Sequence, residues 1–317
     1  MNSQLRLNKF LLGVLLGVAY GISLRILFEI GEYLPGALSF SFVFLAPTVM
    51  GFISVYFSGR DQKISTSSKI LLPWVSVFAL LATCFLLLLE GTICIVLLLP
   101  VFLLLASLGG LLGGYLYNSR YEKAKGALKV IVALPLIVAI GETHIKEPDS
   151  IQSLTQTVLV DAPATKIWSN IKSIPDIKRE EFSPSFLYLI GVPYPVLGQL
   201  NETTQIRLSR WEKGIEFEEK IVEQVDGHYM RWVYDFKPGS IPADALDQHV
   251  TIGGKYFDVI DTSYTTNEVS TGQTELSLQI RFRVSTNINS YANLWAKYLV
   301  GDFEKQILNV YKHRSER

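Results

Sequence analysis

Residues 93 to 117 read ICIVLLLPVFLLLASLGGLLGGYLY, a run without a charged side chain. A helix needs about 20 predominantly apolar residues to cross the hydrocarbon core of a bilayer, so this run predicts a membrane-spanning helix. Three similar runs precede it, at residues 10–30, 36–58 and 70–89. We therefore expect an all-α membrane bundle in the first half of the chain.

A fifth apolar run, from Ala127 to Gly141, is short for a full crossing. Lys125 and Lys129 could extend it, because a lysine stem can lie in the apolar layer while its charge reaches water. The alternative is a helix that lies at the interface or re-enters the same side. We expect five spans, and the choice between four and five decides the side on which the chain continues.

Basic residues mark alternate connections between these runs. They are Arg6 and Lys9, then Arg60, Lys63 and Lys69, then Arg120, Lys123, Lys125 and Lys129. The other connections carry Glu29, Glu32 and Glu90. Because Lys- and Arg-rich connections remain in the cytoplasm, we predict a multi-pass protein of the cell (inner) membrane with a cytoplasmic N-terminus. The rest of the chain then lies on the outer side after five spans, in agreement with the acidic Glu142, or in the cytoplasm after four.

Glycines recur at helical spacing inside two of the runs. They are Gly13, Gly17 and Gly21 in the first run, and Gly109, Gly110, Gly113 and Gly114 in the fourth. Small residues four apart let helix backbones approach closely in lipid. We expect packing within the chain, with a homo-oligomer through the same faces as the alternative.

Arg25 and Glu29 stand one helical turn apart near the end of the first run. Charges inside a bilayer are costly, and they often mark functional sites. Long side chains near a helix end can instead reach the interface, and this is what we expect here.

The second half of the chain has a different composition. Residues 1–145 carry 10 Lys and Arg against 6 Asp and Glu, whereas residues 146–317 carry 19 against 23. We therefore predict two domains, 1–145 and 146–317. A slightly acidic domain without a basic cluster argues against nucleic acid as a partner, and the lipid bilayer is the expected partner of the first half.

From residue 146 onward, apolar and polar residues alternate with a period of two, which is typical of antiparallel strands with one buried face. The predicted strands are 155–160, 204–209, 215–222, 229–236, 256–264 and 274–284. Asp226-Gly227 predicts a hairpin turn. Short helices are predicted after Asp161, which would cap the first of them, and over 184–190. A long C-terminal helix, 288–311, presents at helical spacing Leu294, Tyr298, Phe303, Ile307 and Val310.

The stretch QTVLVDAPATKIW, residues 156–168, opens this half. Together with the order of elements, it resembles the SRPBCC superfamily, which includes START lipid-transfer domains and polyketide cyclase/dehydrase-like proteins. Residues 249–261, HVTIGGKYFDVID, and 291–295, YANLW, are similar to bacterial membrane-associated SRPBCC proteins. The resemblance covers residues 150–315 and implies an α+β helix-grip fold, a curved antiparallel sheet around the C-terminal helix. It also implies that an apolar molecule binds between sheet and helix.

Alternation along three predicted strands selects one largely apolar face. Its residues are Ile215, Phe217, Glu219 and Ile221, then Met230, Trp232, Tyr234 and Phe236, then Leu276, Leu278, Ile280 and Phe282. The residues that we expect to line a ligand pocket are Phe217, Glu219, Met230, Trp232, Tyr234, Phe236, Leu278 and Ile280. The alternative is that these side chains fill a solid core.

Two residues are candidates for acid/base chemistry. Glu219 is an acid on an otherwise apolar face, where burial would raise its pKa and suit proton transfer. A one-residue bulge would instead turn it to solvent, and because Glu216, Glu218 and Glu219 lie close together on this strand, we expect a solvated charge. His249, near Asp244 and Asp247, could act as a general base or contact a ligand, and a structural histidine is the alternative.

Other chemistry lacks a motif in this sequence. The four histidines are dispersed and both cysteines lie in apolar runs, so no metal site is predicted. Without a GxSxG motif, a phosphate-binding loop or a dinucleotide fingerprint, we predict no cofactor and disfavour a hydrolase, kinase or dehydrogenase. Asp258 and Asp261 are expected to pair with Arg281 or Arg283 across the sheet.

Three functional hypotheses remain. The first is a membrane-anchored domain that binds a hydrophobic, lipid-like small molecule. The second is an enzyme of the polyketide cyclase/dehydrase kind, with Glu219 or His249 as acid or base. The third is a membrane protein whose second domain only contacts another protein.

Overall fold

The computed structural model describes residues 2–30, 34, 36–58, 64–118, 124–247 and 249–317; side chains are described from residue 8 and, in the fifth helix, from residue 128. Glu32, Arg60, Lys63, Arg120 and Lys123 of the alternating charge pattern lie outside the described residues, as do the side chains of Arg6 and Lys125. The orientation in the membrane therefore stays a prediction. The chain divides into two compact units, Met1–Glu147 and Pro148–Arg317.

The described part of the first unit is helical. It contains α1 (Asn2–Ile30), α2 (Ala46–Ser58), α3 (Thr66–Leu86), α4 (Thr92–Asn118) and α5 (Ala124–Glu142), with a π-helical turn, Ser41–Leu45, leading into α2. Four of the described stretches are long and apolar enough to cross a membrane. They are Asn8–Ile30, Ser41–Ser58, Thr66–Leu86 and Thr92–Asn118. The four predicted runs thus form helices compatible with a membrane protein.

The fifth helix packs within the same unit. The Tyr20 hydroxyl on α1 donates to the backbone oxygen of Val132 at 2.8 Å. Residues of α5 also pack against a buried cluster on α2 formed by Val49, Phe52 and Ile53. The short apolar run therefore forms a helix that packs on α1 and α2.

Glu142, at the end of α5, has a different role from the one predicted. Its carboxylate accepts the backbone N–H groups of Phe40 and Ser41, both at 2.8 Å, and its side chain is buried. An acid at a helix N-terminus satisfies N–H groups that have no intrahelical partner. Glu142 therefore caps the turn before α2 and is not an exposed acidic flank.

The helical glycines lie against other helices of the same chain. A methyl group added at Gly13 would lie 2.3 Å from the backbone oxygen of Ser54, and one at Gly109 would lie 1.7 Å from that of Thr48. Gly110 is equally close to α3, where the backbone oxygen of Lys69 would be 2.1 Å away. The repeats thus serve close packing of α1 and α4 against α2 and α3.

Arg25 does not reach the interface as expected; it is buried, with 1% of its surface exposed. Its guanidinium bonds Glu29 at 2.6 Å, Glu90 at 2.7 Å and the backbone oxygen of Leu89 at 2.8 Å. Glu90 lies between α3 and α4, so the ion pair joins α1 to the connection of that helix pair. Glu29, the neighbour one helical turn away, accepts only from Nη1, while Nε and Nη2 donate to Glu90 and to Leu89.

The second unit is an eight-stranded antiparallel sheet with a long C-terminal helix. The strands are β1 (Asp149–Val160), β2 (Ser173–Ile174), β3 (Pro195–Asn201), β4 (Ile206–Trp211), β5 (Glu216–Val225), β6 (Tyr229–Asp235), β7 (Phe257–Ser270) and β8 (Gln273–Ser285). Their order in the sheet is β1-β8-β7-β6-β5-β4-β3-β2. The helices are α6 (Ala164–Lys172), α7 (Phe186–Leu189) and α8 (Asn289–Glu316). The sheet is curled into a half-barrel and α8 packs on β1 and β8, which is a helix-grip-like architecture.

Several details of this unit differ from the sequence prediction. The strands β2 and β3 were not predicted; β3 begins with Pro195, and proline is tolerated in a sheet mainly at a strand start or an edge. Pro163, not Asp161, is the N-cap of α6, and Asp161 accepts a hydrogen bond from Gln273 at 2.8 Å.

The predicted hairpin turn at Asp226-Gly227 is confirmed. Gly227 has a positive φ of 72°, as such a turn requires.

The sheet-facing side of α8 also differs from the predicted stripe. Leu294 and Tyr298 are 65% and 52% exposed. The buried residues of the helix are Val300, Glu304, Gln306, Ile307, Leu308, Val310, Tyr311 and Ser315. The fully buried face therefore lies in the second half of α8 and contains an acid.

Gly109→Ala should weaken the packing of α4 on α2, because the added methyl group would clash with the Thr48 carbonyl. Overpacking of this kind costs about 1–3 kcal/mol, so the thermal midpoint of the purified protein in detergent should fall. Gly141→Ala in α5 is the matched control, since no described heavy atom lies within 4 Å of its added methyl. Equal melting of the two variants would contradict this packing.

Candidate functional site

A buried ion pair lies on the inner face of the sheet. Arg207 on β4 and Glu219 on β5 are directly opposite each other in the ladder, and one guanidinium nitrogen, Nη1, donates to Glu219 Oε2. Arg207 Nε donates to the backbone oxygen of Ile171 at 3.1 Å, and Nη2 donates to the Tyr311 hydroxyl at 3.3 Å. The pair therefore connects two strands to α6 and α8.

Aromatic rings surround this pair. The guanidinium carbon of Arg207 lies 5.2 Å from the ring centroid of Trp232, a cation–π geometry. The Tyr264 ring lies 5.2 Å from Trp232 and meets Tyr311 edge-on at 5.5 Å. We call Arg207, Glu219, Trp232, Tyr264 and Tyr311 the Arg207 cluster.

Burial governs the protonation of these groups. It raises the pKa of the Glu219 carboxyl above its ordinary value, while Arg207 opposes the shift. It also raises the pKa values of the Tyr264 and Tyr311 hydroxyls, which therefore stay neutral at physiological pH. Glu219 is thus buried and is not the solvated charge that we expected, because β5 keeps its register opposite β4 at this position. Its carboxylate is held by Arg207 and by a hydrogen bond with Ser209.

A glycine on the neighbouring strand makes room for Arg207. A methyl group added at Gly198 on β3 would lie 1.9 Å from Arg207 Nη2. Glycine inside a strand often marks such a close approach. The sequence analysis did not identify Arg207 as a site residue, because it did not predict β3, the strand beside it. Gly198 on β3 could have indicated that a large side chain lies against that strand.

A second buried acid lies on α8. Glu304 is 0% exposed, and its Oε1 accepts the backbone N–H of Ile280 at 3.0 Å. Among the described residues, Glu304 Oε2 has no hydrogen-bond partner. Burial raises the pKa of Glu304 to about 7, against the opposing effect of the Ile280 N–H. Sequence reasoning passed over Glu304 as one more charged residue of a polar helix, although it lies four residues after Val300 and seven before Tyr311.

The predicted lining residues divide between two clusters. Met230, Trp232, Leu278 and Ile280 belong to the main core of the unit. Phe217 belongs to a smaller cluster with Ile215 and Ala245, against which Phe236 packs. Tyr234 packs against both clusters, and its hydroxyl is 2.5 Å from that of Thr262.

Three predicted polar residues lie elsewhere in the unit. His249 lies in the segment between β6 and β7, with its ring 5.8 Å from that of Tyr256. Asp261 pairs with Arg281 at 2.8 Å, which confirms that cross-strand pair. Asp258 is opposite Arg283 in the ladder, and burial raises its pKa while Arg283 opposes the shift.

The chain is similar to solved structures of known proteins, but only at low sequence identity. No family model matches the chain, and no curated protein matches it in sequence. Among solved structures, the chain is similar to the Zhui aromatase/cyclase from Streptomyces sp. R1128, at 15% identity and a TM-score of 0.32, over 53% of this chain and 95% of that chain. It is similar to truncated norcoclaurine synthase from Thalictrum flavum at 11% identity and a TM-score of 0.31, over 53% of this chain and 96% of that chain. For BexL, the di-domain ARO/CYC of the BE-7585A biosynthetic pathway, the identity is 16% and the TM-score is 0.33, over 66% of this chain and 63% of that chain.

Arg207→Met should destabilise the protein strongly, because it leaves the Glu219 carboxylate buried without its partner. Breaking a buried pair from one side costs about 3–5 kcal/mol, whereas replacing both partners by apolar residues can be nearly neutral. We expect the double variant Arg207→Met/Glu219→Leu to recover most of the loss in chemical denaturation. A double variant as unstable as the single one would show that Arg207 acts through its other bonds.

Glu304→Gln should change how stability depends on pH. The ordinary carboxyl pKa is 4.5, and in the folded chain that of Glu304 is about 7. The folded chain therefore holds an extra proton between these values, and it loses stability as pH rises from 4.5 to 7. An amide does not titrate, so the variant should lose less stability over this range. The difference between the denaturation midpoints at pH 5 and pH 8 measures this loss of stability. The control is Glu268→Gln, at an exposed position of β7, which should keep the wild-type pH dependence.

Proposed function

We propose that the second unit binds an apolar small molecule with at least one polar group, between the inner face of the sheet and α8. The observation that carries the proposal is the Arg207 cluster, in which a charge pair and two tyrosine hydroxyls lie inside an aromatic wall. A buried ion pair contributes little net stability compared with apolar residues of the same volume. Binding sites for small molecules combine such an apolar, aromatic lining with a few fixed polar groups.

The lining favours a bulky or lipid-like ligand. Met230, Leu278 and Ile280 provide aliphatic surface, and Trp232 and Tyr264 provide aromatic surface. Phe217 and Phe236 extend this surface toward the segment between β6 and β7. We propose these residues, with Glu219 and Tyr234, as the wall that contacts the ligand.

The first unit supports a position at the cell membrane. It has four helices long and apolar enough to span a bilayer, and α5 packs among them. This packing supports five spans and, with a cytoplasmic N-terminus, a second unit on the outer side. A domain held at a bilayer can take up a lipid-like molecule from it or deliver one to it.

A partly exposed apolar patch on α7 and α8, in which Phe186 and Trp295 are half-buried, supports exchange with the bilayer. We call Phe186, Leu189, Leu294, Trp295 and Tyr298 the aromatic ledge. Leu189 is 81% exposed, and the Phe186 ring stacks on Trp295 at 6.1 Å. Aromatic side chains of this kind favour the membrane–water interface.

The aromatic ledge lies at the end of the unit where the chain enters it. The backbone oxygen of Pro148 accepts a hydrogen bond from Asn289 at 2.6 Å, at the start of α8. Asn293, one turn further on, donates to Ser150 on β1 at 2.9 Å. The ledge follows on the same helix, so it lies close to the point at which the second unit begins.

A second candidate function is catalysis on the bound molecule. It is favoured by Glu304, a buried acid with a pKa of about 7 and one oxygen without a partner among the described residues. A carboxyl group that titrates near neutrality is suited to general acid/base chemistry. This candidate places the acid on α8, whereas Glu219 is held by Arg207.

The test is to extract the full chain in native nanodiscs and identify small molecules that co-purify by mass spectrometry. We expect one defined apolar species, enriched over the bulk membrane lipids. Ala296→Phe should remove it, because Ala296 packs against the main core at the sheet side of α8. Ser290→Phe introduces the same side chain at an exposed position of that helix and is the control.

The outcomes separate the hypotheses. Loss of the species in Ala296→Phe, with thermal melting unchanged and the species retained in Ser290→Phe, supports binding between sheet and helix. A lipid profile identical to that of the bulk membrane in all three proteins contradicts ligand binding and favours a protein-contact role.

A further inference from the structure

Glu304 occupies the centre of the sheet-facing side of α8. Val300 precedes it by four residues, and Ile307 and Tyr311 follow by three and seven, so all four lie on one side of the helix. These three neighbours are buried in the main core of the unit. Glu304 therefore points toward the same interior that the Arg207 cluster faces.

Among the described residues, the side chains of β1 and β8 on this side of α8 are uncharged. A methyl group added at the adjacent Gly301 would lie 3.8 Å from Gln156 and 3.9 Å from Leu154, which shows that β1 faces this part of the helix with neutral side chains. On β8 the inward residues include Leu278 and Ile280, both buried.

The charged residues next to Glu304 on α8 point elsewhere. Asp302 accepts hydrogen bonds from Ser185 at 2.6 Å and from the backbone of Leu187 at 3.2 Å, on the side of α7. Lys305 is exposed. No cation among the described residues thus stabilises an ionised Glu304, and the neutral acid is the form that this environment favours.

Only one of the two carboxyl oxygens has a structural role. Oε1 accepts the Ile280 N–H, while Oε2, which has no partner among the described residues, would carry the proton of the neutral acid. Buried polar atoms are nearly always hydrogen-bonded in native proteins, so an unpartnered one calls for a partner from outside the chain. A carboxylic O–H is a donor, and it needs an acceptor oxygen.

We propose that Glu304 is the polar contact for the ligand: its neutral acid donates a hydrogen bond from Oε2 to a carbonyl or ether oxygen of the bound molecule. This inference rests on the proposed function and names the ligand class, an apolar ketone, ester or ether. A free carboxylate or phosphate fits less well. Arg207, a buried cation of the second unit, is already engaged by Glu219, Ile171 and Tyr311.

The test uses two probes of the same shape, benzophenone, a neutral aromatic ketone, and diphenylmethane, in which a methylene group replaces the carbonyl. Their dissociation constants are measured by equilibrium dialysis with the full chain in nanodiscs of one lipid composition, against empty nanodiscs. At pH 5.5 we expect wild type to bind the ketone about tenfold more tightly, the effect of one buried hydrogen bond. The preference should decline as pH rises through about 7, where Glu304 ionises.

Two variants isolate the carboxyl group. Glu304→Gln keeps an oxygen for the Ile280 N–H and an N–H donor for the ligand, so it should prefer the ketone at every pH. Glu304→Leu has no donor and should bind both probes alike. Glu268→Gln is the control and should behave as wild type.

The outcomes distinguish this inference from the function on which it rests. If neither probe binds above the empty nanodiscs, both are overturned. If both probes bind wild type equally, or if the ketone preference survives in Glu304→Leu, ligand binding stands and the role of Glu304 is overturned. Should Glu304→Leu fail to fold, the pH profiles of wild type and Glu304→Gln decide, because only a titrating donor gives wild type a pH-dependent preference.

Discussion

The buried ion pair between Arg207 and Glu219 is the interaction on which the interior of the second unit depends. Two strands, a short helix and the C-terminal helix all meet at the Arg207 guanidinium. A charge in a low-dielectric interior is tolerated only when its partners are fixed, so each of these elements has little freedom to move. Gly198 is part of the same constraint, because any larger residue there would occupy the space of the guanidinium.

The first unit meets the same constraint in a more apolar setting. Arg25 is held by Glu29, Glu90 and the backbone of Leu89, and Glu142 is held by two backbone N–H groups. In these cases every charge has its partner inside the chain. Glu304 differs from them, because one of its oxygens has no partner among the described residues. This oxygen is therefore available to a ligand, whereas Arg25 and Glu142 are already fully engaged.

Much of the architecture follows from periodicity. Runs of about 20 apolar residues predicted the four long helices, since a bilayer allows few other solutions. The inner face of β5, β6 and β8 followed from parity, because successive side chains of a strand point to opposite sides. Parity also placed Glu219 on this face, but three acids close together on the strand favoured a solvated charge, so its burial was not predicted.

What periodicity could not supply is the identity of partners distant in the chain. Arg207 lay on a predicted strand, but its contacts come from Ile171, Glu219 and Tyr311. Leu294 and Tyr298 match a helical stripe yet remain exposed, because that half of α8 packs on the core through Ala292, Ala296 and Leu299 instead.

The sequence by itself determined that the chain has a helical apolar half and a sheet-forming half, and which side of each central strand faces inward. Both follow from local repeats, which depend only on residues close together in the sequence. Only the tertiary structure decided that Arg25, Glu142 and Arg207 are satisfied and that Glu304 is not. Desolvation and hydrogen bonding depend on groups that folding brings together from distant parts of the chain, and local repeats carry no record of them.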